Sequence, residues 1–91
     1  MNTKKMNFGQ AIEAMKKGQL VQRVGWNGKG MHIYLEEHFG VILGKGGGME
    51  HKRKYMPVII MYTAQDTHQP GWNASTVDVL AEDWQVVYSN K

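Results

Sequence analysis

The chain has 91 residues, of which 42% are hydrophobic, 21% charged and 10% aromatic, with only 2 prolines. This length predicts one domain spanning residues 1–91, and this much apolar side chain excludes the disordered class of protein. Because the chain has no cysteine, a disulfide framework, a thiolate zinc site and a cysteine nucleophile are excluded. A domain this small buries little surface, so we expect self-association to contribute to its stability.

The net charge of +3 is unevenly distributed along the chain. Residues 1–30 carry six basic and one acidic side chain, whereas residues 57–91 carry one basic and four acidic side chains. Opposite charges in the two halves favour self-association or a small anionic ligand over nucleic acid. The N-terminus lacks the apolar segment of a signal peptide, and no stretch approaches the roughly 20 apolar residues of a membrane helix. We therefore expect a soluble, cytoplasmic protein with no membrane partner.

Apolar residues at helical spacing predict an amphipathic helix over about Phe8–Lys17. They form the i, i+3, i+4, i+7 stripe of Phe8, Ala11, Ile12 and Met15. Asn7, followed three positions later by Gln10, fits a capping box at the start of this helix. Gly18 fits a left-handed stop at its end.

Strand patterns follow this helix. The predicted strands are Leu20–Val24, Met31–Leu35, Val41–Leu43, a fully buried Val58–Tyr62 and a closing Gln85–Tyr88. The first two are expected to form a hairpin, because Asn27-Gly28 in their connection favours a tight turn. The glycine-rich basic loop at about 44–54 is expected to be a flexible hairpin tip, since it lacks phosphate-loop spacing. Residues 63–71 are expected to be a loop.

A second capping box predicts a short helix near the C-terminus. Ser75, with Asp78 three positions later, matches the pattern Ser-x-x-Asp. Apolar residues at helical spacing follow it, namely Val77, Leu80, Ala81 and Trp84. The sequence therefore predicts an α+β fold, with a small antiparallel sheet on which an N-terminal helix and a short C-terminal helix pack.

The patterns of common catalytic and metal sites are missing from the sequence. The histidines are scattered, there is no His-Glu-x-x-His pair, and there is no Gly-x-Ser-x-Gly elbow. Glu36 and Glu37 are adjacent on a strand and face opposite sides, so they cannot act as an acid and base pair. We expect no catalytic residue, no metal and no cofactor, and hence a protein that is not an enzyme.

Two short segments join tryptophan to hydrogen-bonding groups and form the candidate ligand site. Its members are Arg23, Trp26, Asn27 and Lys29 in the first segment and Trp72, Asn73, Ser75, Thr76 and Asp78 in the second. The indoles offer flat faces for stacking a base, and a helix N-terminus favours a phosphate that Arg23 or Lys29 can neutralise. The alternative is structural: the tryptophans cover the core, Ser75 and Asp78 cap a helix, and the asparagines occupy turns.

The segments RVGWNGKG (residues 23–30) and LAEDW (residues 80–84) resemble a family of small phage proteins that includes the second type of Thoeris anti-defence protein. The resemblance covers about residues 6–88 outside the glycine-rich middle. It implies a non-enzymatic sponge that binds a cyclic ADP-ribose isomer made by bacterial TIR-domain enzymes, in the cytoplasm of the infected host. It also implies a homotetramer with ligand pockets between subunits, and in some relatives the binding of cyclic oligonucleotide signals.

The residues leave two other functions open. One is a nucleic-acid- or protein-binding phage accessory domain that uses the basic segment Lys52–Lys54. Steep salt dependence with DNA or RNA would indicate this function. The other is a small hydrolase or transferase that acts on nucleotides, which turnover of a nucleotide substrate would indicate.

Overall fold

The computed structural model describes residues 4–26, 30–37, 41–43, 50–52 and 56–88. In chain order the elements are α1 (Phe8–Lys16), β1 (Leu20–Arg23), β2 (His32–Glu36), β3 (Val41–Leu43), β4 (Glu50–Lys52), β5 (Val58–Tyr62), β6 (His68–Pro70), α2 (Thr76–Leu80) and β7 (Trp84–Val87). The predicted α+β fold, with an antiparallel sheet, an N-terminal helix and a short second helix, is confirmed. Within the described ranges, no helix has the length and apolarity to cross a bilayer.

Five strands form one antiparallel sheet in the order β6-β5-β2-β1-β7. β1 and β2 form the predicted hairpin, with Val21 opposite Ile33. On its other side β1 pairs with β7, which places Trp84 opposite Arg23. β6 and β7 therefore lie at opposite edges, and the segment 71–83 crosses from one edge of the sheet to the other. This crossing brings distant parts of the sequence together.

The core lies between α1 and one face of the sheet. Its buried side chains are Ala11, Ala14, Met15, Val21, Ile33, Met61 and Trp84. The predicted capping box of α1 is confirmed, since Asn7 and Gln10 exchange hydrogen bonds of 2.8 and 2.9 Å between side chains and backbone amides. Gly18 ends the helix with a φ of 91°, a conformation that glycine adopts without steric cost.

Two segments predicted to be irregular form strands. β6 lies inside the expected loop 63–71, because a tight turn at Asp66 (φ 63°) returns the chain along β5 and places His68 opposite Tyr62. β4 lies inside the glycine-rich basic loop and pairs with β3. The rest of that loop, at 44–49 and 53–54, lies outside the described residues. Strand pairing overrode the weak strand propensity of both segments.

The apolar stripe predicted for the second helix is wrong. α2 ends at Leu80, and Trp84 begins β7. Val77 and Leu80 are 66% and 73% exposed, so this face of α2 does not pack on the core. The predicted fully buried strand is also wrong in part, because only Ile60 and Met61 of β5 are buried.

Candidate functional site

The two tryptophan-bearing segments meet in the folded protein. Trp26 follows β1 and Trp72 follows β6, yet their ring centroids are 6.2 Å apart with an interplanar angle of 68°. Both rings also pack edge to face against Trp84, with centroids at 5.3 and 6.3 Å. Trp84 is fully buried, whereas Trp26 and Trp72 are half-buried. We call these three residues the tryptophan cluster.

The chain turns at residues 70–72, directly after β6, and the backbone of this segment, which we call the Trp72 turn, is attached to β5. The backbone amides of Gly71 and Trp72 both donate to the carbonyl oxygen of Ile59, at 3.0 and 3.1 Å. Gly71 has a φ of 85°, which a residue with a Cβ rarely adopts. The chain therefore bends sharply at Gly71 and leaves the sheet edge with Trp72 directed toward the other two indoles.

Residues 23–26 form a second turn, which we call the Trp26 turn, and it is attached instead to Asp83, the residue that precedes β7. The amide of Val24 donates to the backbone oxygen of Asp83 at 3.0 Å, and the amide of Gly25 donates to its carboxylate at 3.2 Å. The amide of Trp26 donates to the carbonyl oxygen of Arg23 at 3.2 Å, which closes the turn.

An ion-pair network links the two candidate segments. The Arg23 guanidinium donates from Nε to Asp83 at 2.9 Å and from Nη1 to Asp78 at 3.1 Å. The three side chains are only 18%, 29% and 15% exposed, so water screens the network weakly. We call Arg23, Asp78 and Asp83 the arginine clasp.

Asp78 also organises the start of α2. Its carboxylate accepts from the amide and the hydroxyl of Ser75, at 3.0 and 2.9 Å, while its own amide donates to the Ser75 hydroxyl oxygen at 3.1 Å. Its backbone oxygen accepts the indole N–H of Trp84 at 3.0 Å. One residue therefore joins the arginine clasp, the cap of α2 and the tryptophan cluster.

The clasp shifts the ionisation of all three of its members. Two carboxylates that accept from the Arg23 guanidinium, Asp83 foremost, raise the pKa of that group. The hydrogen bond from Arg23 lowers the pKa of Asp83, against a smaller opposing effect of burial. Burial disfavours the ionised form of Asp78, but the hydrogen bonds from Ser75 and Arg23 outweigh it and lower the pKa of Asp78. Both carboxylates are therefore ionised at neutral pH.

The structure brings five of the predicted site residues into one region: Arg23, Trp26, Trp72, Ser75 and Asp78. Asn73 and Thr76 are exposed beside them in sequence, whereas Asn27 and Lys29 lie outside the described residues. The capping role that the structural alternative assigned to Ser75 and Asp78 is confirmed.

Sequence reasoning missed two members of this region, Asp83 and Trp84. Both belong to the LAEDW segment (residues 80–84), but the helical spacing of its apolar residues predicts that Trp84 lies on a helix. The signal available in the sequence was the adjacent pair of aspartate and tryptophan a few residues after the predicted helix N-cap and its first turn. Asp83 is bonded to Arg23, which lies 60 positions earlier in the sequence, and Trp84 packs against Trp26, more than 50 positions earlier. No local pattern connects residues so far apart.

A second aromatic group lies on the face of the sheet opposite α1. His32 stacks on Tyr62 with a centroid distance of 5.0 Å, and the Tyr34 hydroxyl is 2.9 Å from Nδ1 of His68. The hydroxyl of Tyr62 donates to Asp66. In the described ranges, His, Asp and Glu side chains form no group of three or more suited to a metal ion.

Together the fold and the tryptophan cluster define a small α+β protein built on a five-stranded antiparallel sheet. Its aromatic and polar site lies where the crossing segment 71–83 meets the end of β1. A family profile described as the Thoeris anti-defense 2-like domain matches residues 6–87, so the chain belongs to the Thoeris anti-defense 2-like family. Over 85 residues it is 39% identical to a Bacillus phage SP01 protein named Thoeris anti-defense 2, covering 91% of this chain and 96% of that protein. The family resemblance carried by residues 23–30 and 80–84 is thereby confirmed.

Proposed function

We propose that this protein is a phage anti-defence protein that binds and sequesters a cyclic ADP-ribose isomer without cleaving it. By holding this signal in the cytoplasm of the infected host, it blocks activation of the Thoeris effector. Membership of the Thoeris anti-defense 2-like family supports a role in counteracting Thoeris defence. The observation that carries the ligand proposal is the meeting of Trp26 and Trp72, the two indoles of the candidate segments, in one half-buried cluster.

The chemistry of this cluster suits a purine nucleotide. Stacking a base on an indole contributes about 1–3 kcal/mol, and the buried Trp84 supports both outer rings from behind. Asn73 and Thr76, which are exposed after Trp72, offer hydrogen-bonding groups for ribose or phosphate oxygens. The hydroxyl of Ser75 donates to Asp78, so its oxygen is left to accept from a ribose hydroxyl. Asn27 and Lys29 follow Trp26 in the sequence, and we propose them as further ligand residues, with Lys29 as the cation for phosphate.

Arg23 and Asp78 have a different role in this proposal from the one their sequence pattern indicated. Arg23 is held between two carboxylates, so a phosphate on Arg23 would compete with Asp78 and Asp83. We therefore assign Arg23 and Asp78 to holding the two tryptophan turns in place. In this proposal Asp78 does not contact the ligand itself but orients groups that do, such as Ser75.

We further propose that the protein acts as a homotetramer with ligand pockets between subunits. A sponge with nanomolar affinity needs about −12 kcal/mol of binding free energy, far more than stacking supplies. Near-complete enclosure of the ligand provides the remainder, yet a core this small cannot contain a cavity of several hundred cubic ångströms.

Native mass spectrometry after incubation with lysate containing an active TIR-domain enzyme tests assembly and ligand together. We expect a tetramer that carries a ligand with the mass of a cyclic ADP-ribose isomer and releases it intact on heating. Accumulation of linear ADP-ribose above a control without protein would contradict sequestration without cleavage. Salt-sensitive retention of DNA or RNA in place of the nucleotide would favour the nucleic-acid-binding alternative.

Single substitutions then locate the site. Trp26→Ala and Trp72→Ala should each weaken binding of a cyclic ADP-ribose isomer by about 1–3 kcal/mol in calorimetric titration. Tyr88→Ala is the matched control, because Tyr88 is an exposed aromatic residue beyond the far end of β7. Thermal melts of every variant separate lost folding from lost contact. Normal binding by a folded Trp26→Ala variant would exclude this cluster as the site.

A further inference from the structure

We infer that Asp83 is a positioning residue of the tryptophan cluster, whose carboxylate holds the Trp26 turn in its binding-competent conformation without contacting the ligand. The inference rests on the proposed function for its ligand, but the positioning itself is a property of the free protein. Asp83 belongs to neither of the two candidate segments, so the sequence pattern alone does not include it among the candidate ligand residues.

The contacts of Asp83 are divided between the two ends of the turn. One carboxylate oxygen accepts from Nε of Arg23, the last residue of β1, and the other accepts from the amide of Gly25. Its backbone oxygen also accepts from the amide of Val24. Three consecutive residues before Trp26 are therefore bonded to one residue, and each of these bonds spans about 60 positions of sequence.

The remaining backbone hydrogen bond of this turn is local. Among the hydrogen bonds of the described residues, the amide of Trp26 reaches only the carbonyl oxygen of Arg23, within the turn itself. The Trp72 turn, by contrast, is bonded to β5 through Ile59 and does not depend on Asp83. Loss of the Asp83 carboxylate should therefore release the Trp26 turn and leave the Trp72 turn in place.

Hydrogen exchange distinguishes positioning from general stabilisation. In Asp83→Asn, peptides covering residues 20–26 should exchange about tenfold faster or more, because a hydrogen bond to a charged acceptor is lost. Peptides covering α1 and β5 should exchange as in the unmodified protein. Glu82→Gln is the matched control, since it removes the same charge from the exposed neighbouring residue. Equal acceleration in all three regions, or acceleration in none, would overturn the inference.

Binding kinetics supply the second readout. If Asp83 sets the fraction of molecules with a competent Trp26 turn, Asp83→Asn should slow association of a cyclic ADP-ribose isomer severalfold and leave dissociation unchanged. A direct contact would instead appear in the dissociation rate, and that result would overturn the inference. Asp83→Glu, which keeps the charge, should recover most of the association rate and guards against a poorly folded Asp83→Asn. If the unmodified protein does not bind the nucleotide, the proposed function fails, while the exchange pattern still decides whether Asp83 positions Trp26.

Discussion

α1 and α2 begin with the same capping motif and are held in place by different forces. The box of α1 joins Asn7 to Gln10 and the box of α2 joins Ser75 to Asp78, with both reciprocal hydrogen bonds present in each. α1 has nine residues and buries Ala11, Ala14 and Met15. α2 has five residues and buries none.

The comparison separates what a cap does from what holds a helix on a protein. Five residues are too few for an isolated helix, because nucleation costs more than so few hydrogen bonds return. α1 is stabilised by its apolar face, whereas α2 depends on the ion pair of Asp78 with Arg23 and on the bond from the Trp84 indole to the Asp78 carbonyl oxygen. α1 therefore belongs to the core and α2 to the polar framework of the tryptophan cluster.

The largest loss of stability is expected from a substitution in the buried face of α1. Met15 is 2% exposed in the core, so Met15→Ala should lower the free energy of unfolding by about 2–5 kcal/mol, through lost burial and the cavity left behind. Urea denaturation measures the loss, and Lys16→Ala on the exposed side of the same helix is the control. A loss below about 1 kcal/mol would mean that α1 does not rely on packing.

The second-largest loss of stability is expected when the arginine clasp is broken. Arg23→Gln leaves Asp78 and Asp83 without their cation and should cost about 2 kcal/mol at pH 7, since hydrogen bonds to charged groups contribute about 1.5–3 kcal/mol. Lys17→Gln makes the same charge change at an exposed position and should have almost no effect. If the two variants unfold at the same denaturant concentration, the ion pairs do not stabilise the fold.

Acid should remove the difference between Arg23→Gln and the unmodified protein. The folded pKa values of Asp78 and Asp83 are lowered, so the stabilisation from their ionised forms is complete above the ordinary carboxyl pKa of about 3.9. It is lost as the pH falls through the lower folded values. Thermal melts from pH 7 to pH 2 should converge below about pH 4, and a constant difference would assign the effect to packing of the arginine stem.

Removing the two helix caps should have different effects, one on global stability and the other on local opening. Asn7→Ala should lower the global free energy of unfolding by about 1 kcal/mol, because α1 is part of the core. Ser75→Ala should lower it less and should mainly accelerate amide exchange within α2, because a helix that buries nothing can open locally. Exchange measured by NMR together with urea denaturation checks both. Equal global losses would show that α2 unfolds only with the core.

The smallest effect is expected on the exposed face of α2. Val77→Ser and Leu80→Ser should each change the free energy of unfolding by less than about 0.5 kcal/mol, since both side chains are more than half exposed. Denaturation at two protein concentrations checks this. A larger loss that depends on protein concentration would show that a partner subunit covers this face.

Much of the local structure was predictable because its causes lie within a few residues. The apolar stripe, the Asn7–Gln10 box and the Gly18 stop define α1 without reference to the rest of the chain. The hairpin of β1 and β2 follows from two apolar runs that lie close together in the sequence. The prediction for the second helix was wrong in part for the opposite reason. Its helical spacing continues to Trp84 in the sequence, but whether such a stripe is buried depends on what lies opposite it in the fold.

The sequence by itself therefore determined the fold class, the helix caps and the two tryptophan-bearing segments, each of which depends on short-range spacing. Only the tertiary structure decided that Trp26 and Trp72 share one cluster and that Arg23 is bound to Asp78 and Asp83. The physical reason is the placement of β6 and β7 at opposite edges of the sheet, which makes the segment between them cross to the end of β1. Strand order arises from long-range pairing and burial, and no local pattern encodes it.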